Sequence, residues 1–100
     1  MNAYEQMELA QFRRAILRYL LAQPDGQLSE SLLTMQLEAE VLYKDQTARR
    51  AELAWLADRG LVSVRQIGTM QLVQLLDRGR IVALGKQRVD GIADASLPGG

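Results

Sequence analysis

The stretch DQTARRAELAWLADRGLVSVRQIGTMQLVQLL, residues 45–76, decides the fold of this chain. Its first half predicts a helix that begins polar and basic and becomes apolar from Leu53 onward. Gly60 predicts the end of that helix, because glycine adopts the left-handed conformation after a helix without a Cβ clash. Two runs rich in β-branched and apolar residues follow at once, at 61–66 and 69–75, and they predict a β-hairpin.

Two further helices precede this stretch and a short one follows it. Apolar residues recur at helical spacing between residues 5 and 23, at Leu9, Phe12, Ile16, Tyr19 and Leu20. Ser29 is placed to cap a second helix and Asp45 to cap the third, because their side-chain oxygens can accept the free amides of a first turn. Residues 77–85 predict a closing helix. The expected order is therefore three helices, a hairpin and a C-terminal helix.

The composition excludes several classes of site. The 100 residues include no His and no Cys, which removes the usual zinc ligands, a cysteine nucleophile, a Ser-His-Asp arrangement and any disulfide. No acid–base pair or phosphate-binding loop is visible, so neither an enzyme nor a cofactor or metal is expected. No apolar run has the length of a membrane span, and residues 1–11 lack a signal-peptide core. We expect a soluble, cytoplasmic protein that does not contact a membrane.

Charge is unevenly distributed along a chain whose net charge is zero. Residues 1–40 hold three basic and six acidic groups, whereas residues 41–88 hold nine basic and four acidic groups. The basic part coincides with the third helix and the hairpin. A positive surface there favours contact with phosphate, although an ordinary solvated face of the protein gives the same pattern.

The first turns of the third helix carry candidate base-reading residues. A cap at Asp45 leaves Gln46, Thr47 and Arg50 on the outward side of the helix. Arg can bind guanine, Gln can bind adenine, and Thr can contact the methyl group of thymine. The spacing permits readout of DNA bases at these three positions, but such residues on an exposed helix are also commonly just solvated.

Three basic residues around the same helix are candidate phosphate contacts. Lys44 directly precedes the helix, and Arg49 lies in its first turns on the side of Leu53, so that we expect its stem to lean inward and its guanidinium to be exposed. Arg65 lies near the end of the first hairpin strand, from which it could contact a phosphate or the minor groove. The alternative for Arg65 is a solvated strand residue.

The element order and two motifs resemble a known fold. L-x-x-L-x-x-x-G-L-V at 53–62 and V-x-L-x-x-x-G at 73–79 are similar to the winged-helix domains of bacterial ArsR- and MarR-type regulators. More closely, ILRYLLAQPDGQLSESLL (16–33), ELAWLADRGLVSV (52–64) and LLDRGRIVALGKQRVDGI (75–92) resemble small winged-helix proteins encoded by Mu-like transposable phages and prophages. The resemblance covers about residues 7–92.

The resemblance implies a mainly α fold with a small β-hairpin, a winged helix-turn-helix of three helices, a two-stranded wing and a C-terminal helix. We expect one winged-helix domain over residues 1–88 and a flexible tail over residues 89–100, where glycine is frequent.

The same resemblance implies a double-stranded DNA-binding protein of phage or prophage origin, in the manner of a transcriptional regulator. The alternative is a protein–protein interaction module in phage assembly or DNA packaging, built on the same scaffold. Zero net charge favours this alternative, and the basic part of the chain favours DNA. Partners under these hypotheses are duplex DNA, a second copy of the chain or a phage protein.

Overall fold

Four helices and three strands form the part of the chain that the computed structural model describes, residues 1–94. Their order is α1 (Ala3–Leu21), β1 (Gln27–Ser29), α2 (Glu30–Ala39), α3 (Gln46–Asp58), β2 (Val62–Ile67), β3 (Met70–Leu75) and α4 (Asp77–Ala83). Within these 94 residues no helix is long and apolar enough to cross a membrane. The same residues contain no cluster of three or more side chains that could hold a metal ion.

The predicted ends of α2 and α3 are confirmed. Ser29 Oγ accepts a hydrogen bond from the Leu32 amide at 3.3 Å, and Asp45 Oδ1 accepts one from the Ala48 amide at 2.8 Å. Gly60 follows α3 with a φ of 73°, as the helix-ending role of this glycine requires. Ser29 therefore sets where α2 begins, Asp45 sets where α3 begins, and Gly60 sets where α3 gives way to the hairpin.

The sheet has three strands, so the prediction of a two-stranded hairpin alone is wrong. β2 and β3 form the expected antiparallel pair, and β1 adds to the other edge of β3, with Gln27 opposite Gln74 and Ser29 opposite Leu72. A three-residue strand is too short to show an alternating pattern, and the free edge of β3 supplies its hydrogen bonds from a distant part of the chain. The described domain is therefore a mixed α/β structure.

The core is built around α1. Its buried face contacts α2, β3 and α4. Fifteen apolar residues within the described chain are buried: Phe12, Ala15, Ile16, Leu17, Leu20, Leu28, Leu33, Leu37, Leu53, Leu56, Leu61, Val62, Val73, Leu75 and Val82. From α3 the set takes only residues of the second half. At the start of α3, Gln46 and Thr47 consequently stay exposed.

The chain turns back onto α1 after α4. Val89 and Ile92 pack against the core, and the Ala93 amide donates a 3.1 Å hydrogen bond to a carbonyl of α1. The frequent glycines predict a flexible tail from residue 89 onward, but Val89 and Ile92 give residues 89–94 an apolar surface to bury. The remainder of that expected tail, 95–100, lies outside the described residues.

Gly79 allows α4 to pack closely against Leu61, directly before β2, and against Leu75 at the end of β3. A Cβ at Gly79 would overlap the carbonyl oxygen of Leu61 and lie 2.8 Å from Leu75 Cδ1. Because backbone cannot move aside as a flexible side chain does, we expect Gly79→Ala to lower the free energy of unfolding by about 3 kcal/mol.

Gly60→Ala is the control for this prediction. A Cβ at Gly60 would meet nothing within 4 Å, so only the positive φ opposes it, at a cost of about 1 kcal/mol. Urea denaturation of both variants measures the two changes. Equal losses of stability would contradict the close packing of α4.

Candidate functional site

Glu30 forms ion pairs with two arginines of α3. It is the first residue of α2, and its side chain is only 7% exposed. Its carboxylate accepts hydrogen bonds from Arg50 Nη2 at 2.8 Å and Arg50 Nε at 3.1 Å, and from Arg49 Nε at 3.2 Å. One carboxylate therefore binds both guanidinium groups of the candidate reading helix. We call Glu30, Arg49 and Arg50 the arginine clamp.

The electrostatics of the arginine clamp favour the ionised forms of Glu30 and Arg50. Hydrogen bonding from Arg50 lowers the pKa of Glu30 below its ordinary value of 4.5, and the positive charge of Arg49 adds to this effect against the opposing effect of burial. The hydrogen bond to Glu30 in turn raises the pKa of Arg50. Two guanidinium groups and one carboxylate leave a single positive charge at this surface.

Arg49 holds the connection between α2 and α3. Besides its bond to Glu30, its Nη1 donates to the Lys44 carbonyl at 3.2 Å, and its side chain is 12% exposed. The guanidinium expected to face phosphate is thus engaged within the protein. Lys44 Nζ, another predicted phosphate contact, lies 5.4 Å from the ring centroid of Phe12. Phosphate binding by these two residues stays a prediction.

Four of the predicted site residues reach the surface. Gln46 and Thr47 are exposed on the first turn of α3, and neither side chain hydrogen-bonds another residue within 1–94. Arg50, one turn further on, is 32% exposed. Arg65 is exposed on β2, a strand that packs against α3. The structure thus brings Gln46, Thr47 and Arg50 together on one helix face and places Arg65 on the adjoining hairpin.

Two arginines lie over the rings of Trp55, an arrangement that the sequence does not predict. Arg13 Cζ lies 3.8 Å and Arg59 Cζ 3.5 Å from the centroid of its rings. Arg13 also donates to Glu52 at 2.6 Å and to the Gly91 carbonyl at 3.0 Å. The i, i+4 spacing of Trp55 and Arg59 is visible in the sequence, whereas the arrival of Arg13 from α1 is not. These contacts join α1 to α3, and they occupy Arg59, one of the nine basic groups of residues 41–88.

A group of apolar side chains, most of them exposed, lies on α1 and on the connection between α2 and α3. Tyr4 and Met7 of α1 are 69% and 66% exposed, and they line a groove with Leu42. Val41 and Tyr43, in the connection after α2, are 88% and 71% exposed. We call these five residues the apolar rim. One acidic residue, Glu8, lines the same groove.

The arginine clamp predicts a pH dependence of stability. A carboxylate whose pKa is lowered by folding contributes stability above its unfolded value, and this contribution is lost as the pH falls through the folded value. We expect the difference in free energy of unfolding between the native protein and Glu30→Gln to shrink between about pH 6 and about pH 3.

Thermal unfolding followed by circular dichroism measures this difference. Glu38→Gln is the control, because Glu38 is an exposed carboxylate on the same helix. A constant difference between native protein and Glu30→Gln across this pH range would show that the clamp does not stabilise the fold through its charge.

Comparison with known proteins identifies a relative from a phage. No protein-family model and no solved structure matches the chain. The uncharacterized protein gp26 of Escherichia phage Mu is 31% identical to it over 84 residues, which are 84% of this chain and 88% of the phage protein. The resemblance to proteins of Mu-like phages is confirmed to this extent. The chain belongs to the family of phage Mu gp26.

Proposed function

We propose that the chain is a winged-helix protein of phage or prophage origin that binds double-stranded DNA and acts in transcriptional regulation. The element order supports the winged-helix part: α2 and α3 form consecutive helices, and a hairpin follows α3 directly. In helix-turn-helix domains the second helix of such a pair enters the major groove. The relationship to a phage Mu protein supports the origin.

The observation that carries this proposal is the exposed polar face of the first turns of α3. Gln46, Thr47 and Arg50 share this face, and the core takes its α3 residues from Leu53 onward. Side chains of these three types can bind base edges. Gln46 and Arg50 are four residues apart and Thr47 and Arg50 are three apart, so the three side chains are neighbours on the helix surface.

The charges near α3 indicate how strongly DNA would bind. The arginine clamp contributes one net positive charge, and Lys44 and Arg65 add two more. Each neutralised phosphate contributes about −0.9 to the slope of log K against log salt, so about three phosphates give a slope near −2.7 per protomer. Such a protein would rely on base contacts for much of its affinity.

Gln46→Glu tests the position of the DNA-binding face. A carboxylate there opposes phosphate and base acceptors, so we expect binding to a selected duplex to weaken roughly tenfold or more. The α3 helix itself should tolerate the change, because a negative charge in a first turn is favourable to the helix dipole. A mobility-shift titration measures binding, and thermal unfolding checks the fold.

Gln6→Glu is the matched control, since it makes the same chemical change at an exposed position of α1. We expect this variant to bind DNA as the native protein does. Equal weakening by the two substitutions would show that net charge, rather than the face of α3, determines binding. No enrichment of any duplex from a random pool at low salt would overturn the DNA-binding proposal.

A protein-interaction module in phage assembly or DNA packaging is the second candidate function. The apolar rim favours it, because contiguous exposed apolar groups are typical of protein contact sites. Val41 adds a specific observation. It has a φ of 60°, which is rare for a β-branched residue, and its side chain is 88% exposed. The end of α2 accounts for this backbone conformation, whereas contact with a partner would explain a valine side chain that is 88% exposed at a position where glycine is preferred.

Val41→Gly separates the stability of the fold from this second function. Val41 occupies the position after α2 where its amide donates to the Glu38 carbonyl at 2.9 Å, and glycine is preferred there. We expect Val41→Gly to raise the free energy of unfolding by about 1 kcal/mol while weakening association with a second copy, measured by sedimentation velocity.

Val41→Ala is the control, because it shortens the side chain but retains the strained backbone. It should weaken association without gaining stability. An unchanged sedimentation profile for both variants, together with a monomeric native protein, would remove a second copy as the partner of the apolar rim.

A further inference from the structure

Arg50 is held by one edge of its guanidinium and is open at the other. Its Nε and Nη2 both donate to the Glu30 carboxylate, at distances from 2.8 to 3.2 Å. Arg50 Nη1 has no hydrogen-bond partner within residues 1–94, and this nitrogen is accessible to solvent rather than buried. A guanidinium has donors along two edges, so the Nη1–Nη2 edge remains available for an outside acceptor.

We propose that Arg50 is the specificity-determining residue of the α3 face, that it binds the O6 and N7 atoms of a guanine through its Nη1–Nη2 edge, and that Glu30 is its positioning residue. This inference rests on the proposed DNA-binding function and adds the base that is read. Guanine is the base whose major-groove edge presents two adjacent acceptors, which match two parallel N–H donors.

Glu30 reduces the cost of forming this contact. A free arginine loses much rotamer freedom when it is fixed against a base, and fixing it beforehand removes that loss from the binding step. The buried position of Glu30 makes the orientation firm, since the carboxylate itself is 7% exposed and belongs to the first turn of another helix. Its negative charge also halves the positive charge of the clamp, which lowers attraction to phosphate in general. Both effects favour sequence discrimination over unspecific affinity.

Arg49 is the less suitable of the two arginines for base readout. Its Nε binds Glu30 and its Nη1 binds the Lys44 carbonyl, so donors on both edges are engaged. Its side chain is 12% exposed, whereas that of Arg50 is 32% exposed. The same carboxylate therefore fixes Arg49 as part of the protein interior and Arg50 as a surface donor.

The experiment modifies the DNA first, so that its outcome does not depend on how variants fold. Duplexes bound by the native full chain are selected from a random pool, and each guanine of the selected site is replaced in turn by 7-deazaguanine. This analogue keeps base pairing but lacks the N7 acceptor. We expect one position at which the replacement weakens binding roughly tenfold.

Two variants then test whether the arginine clamp recognises the sensitive guanine. With Arg50→Ala the native and 7-deaza duplexes should bind equally at the sensitive position. With Glu30→Gln the preference should shrink several-fold while binding to random duplex becomes tighter and more dependent on salt. Arg65→Ala is the control, because a backbone contact should weaken both duplexes alike and leave the preference unchanged.

The outcomes separate the inference from the function on which it rests. If no duplex is enriched or bound, the proposed function fails. If a site is selected but no guanine in it is sensitive to 7-deaza replacement, or if the sensitivity persists in Arg50→Ala, DNA binding stands and the role of Arg50 is overturned. If Glu30→Gln retains the full preference, Glu30 is not a positioning residue.

Discussion

The contact of the Glu30 carboxylate with Arg49 and Arg50 fixes how α2 meets α3, and the exposed face of α3 depends on that meeting. A carboxylate this buried is tolerated only when it is paired and hydrogen-bonded, because desolvating an unpaired charge is costly. Both of its oxygens accept from guanidinium groups, with the shortest separation at 2.8 Å. The connection after α2 is drawn into the same arrangement through the Lys44 carbonyl.

Several of the basic side chains counted in the sequence are engaged in contacts within the protein. The twelve basic residues include Arg13 and Arg59 on the rings of Trp55, Arg18 paired with Glu40, and the two arginines on Glu30. These side chains join helices to one another. Within residues 41–88, Arg49 and Arg50 share the Glu30 carboxylate and Arg59 lies on the rings of Trp55, so fewer of the nine basic groups are available to phosphate than a sum over the sequence suggests.

Local signals in the sequence were sufficient for the helices and the hairpin, because each depends on neighbours in the chain. The caps at Ser29 and Asp45 are examples. The pairing of β1 with β3 and the contact of Glu30 with Arg50 could not be predicted from local signals, since both join residues far apart in sequence. Glu30 reads as a helix-dipole residue in the first turn of α2, and nothing in its neighbourhood indicates the arginines nineteen and twenty positions later.

The two candidate functions use different surfaces, so they are compatible in one molecule. The outward turns of α3 are polar, whereas the apolar rim lies on α1 and on the connection after α2. A domain with few free cations gains affinity for DNA when two copies bind together, because each copy adds its own contacts. Association through the apolar rim would supply that second copy. Under the proposed DNA-binding function, weak phosphate attraction and an exposed apolar surface would then be related features of one assembly rather than arguments against each other.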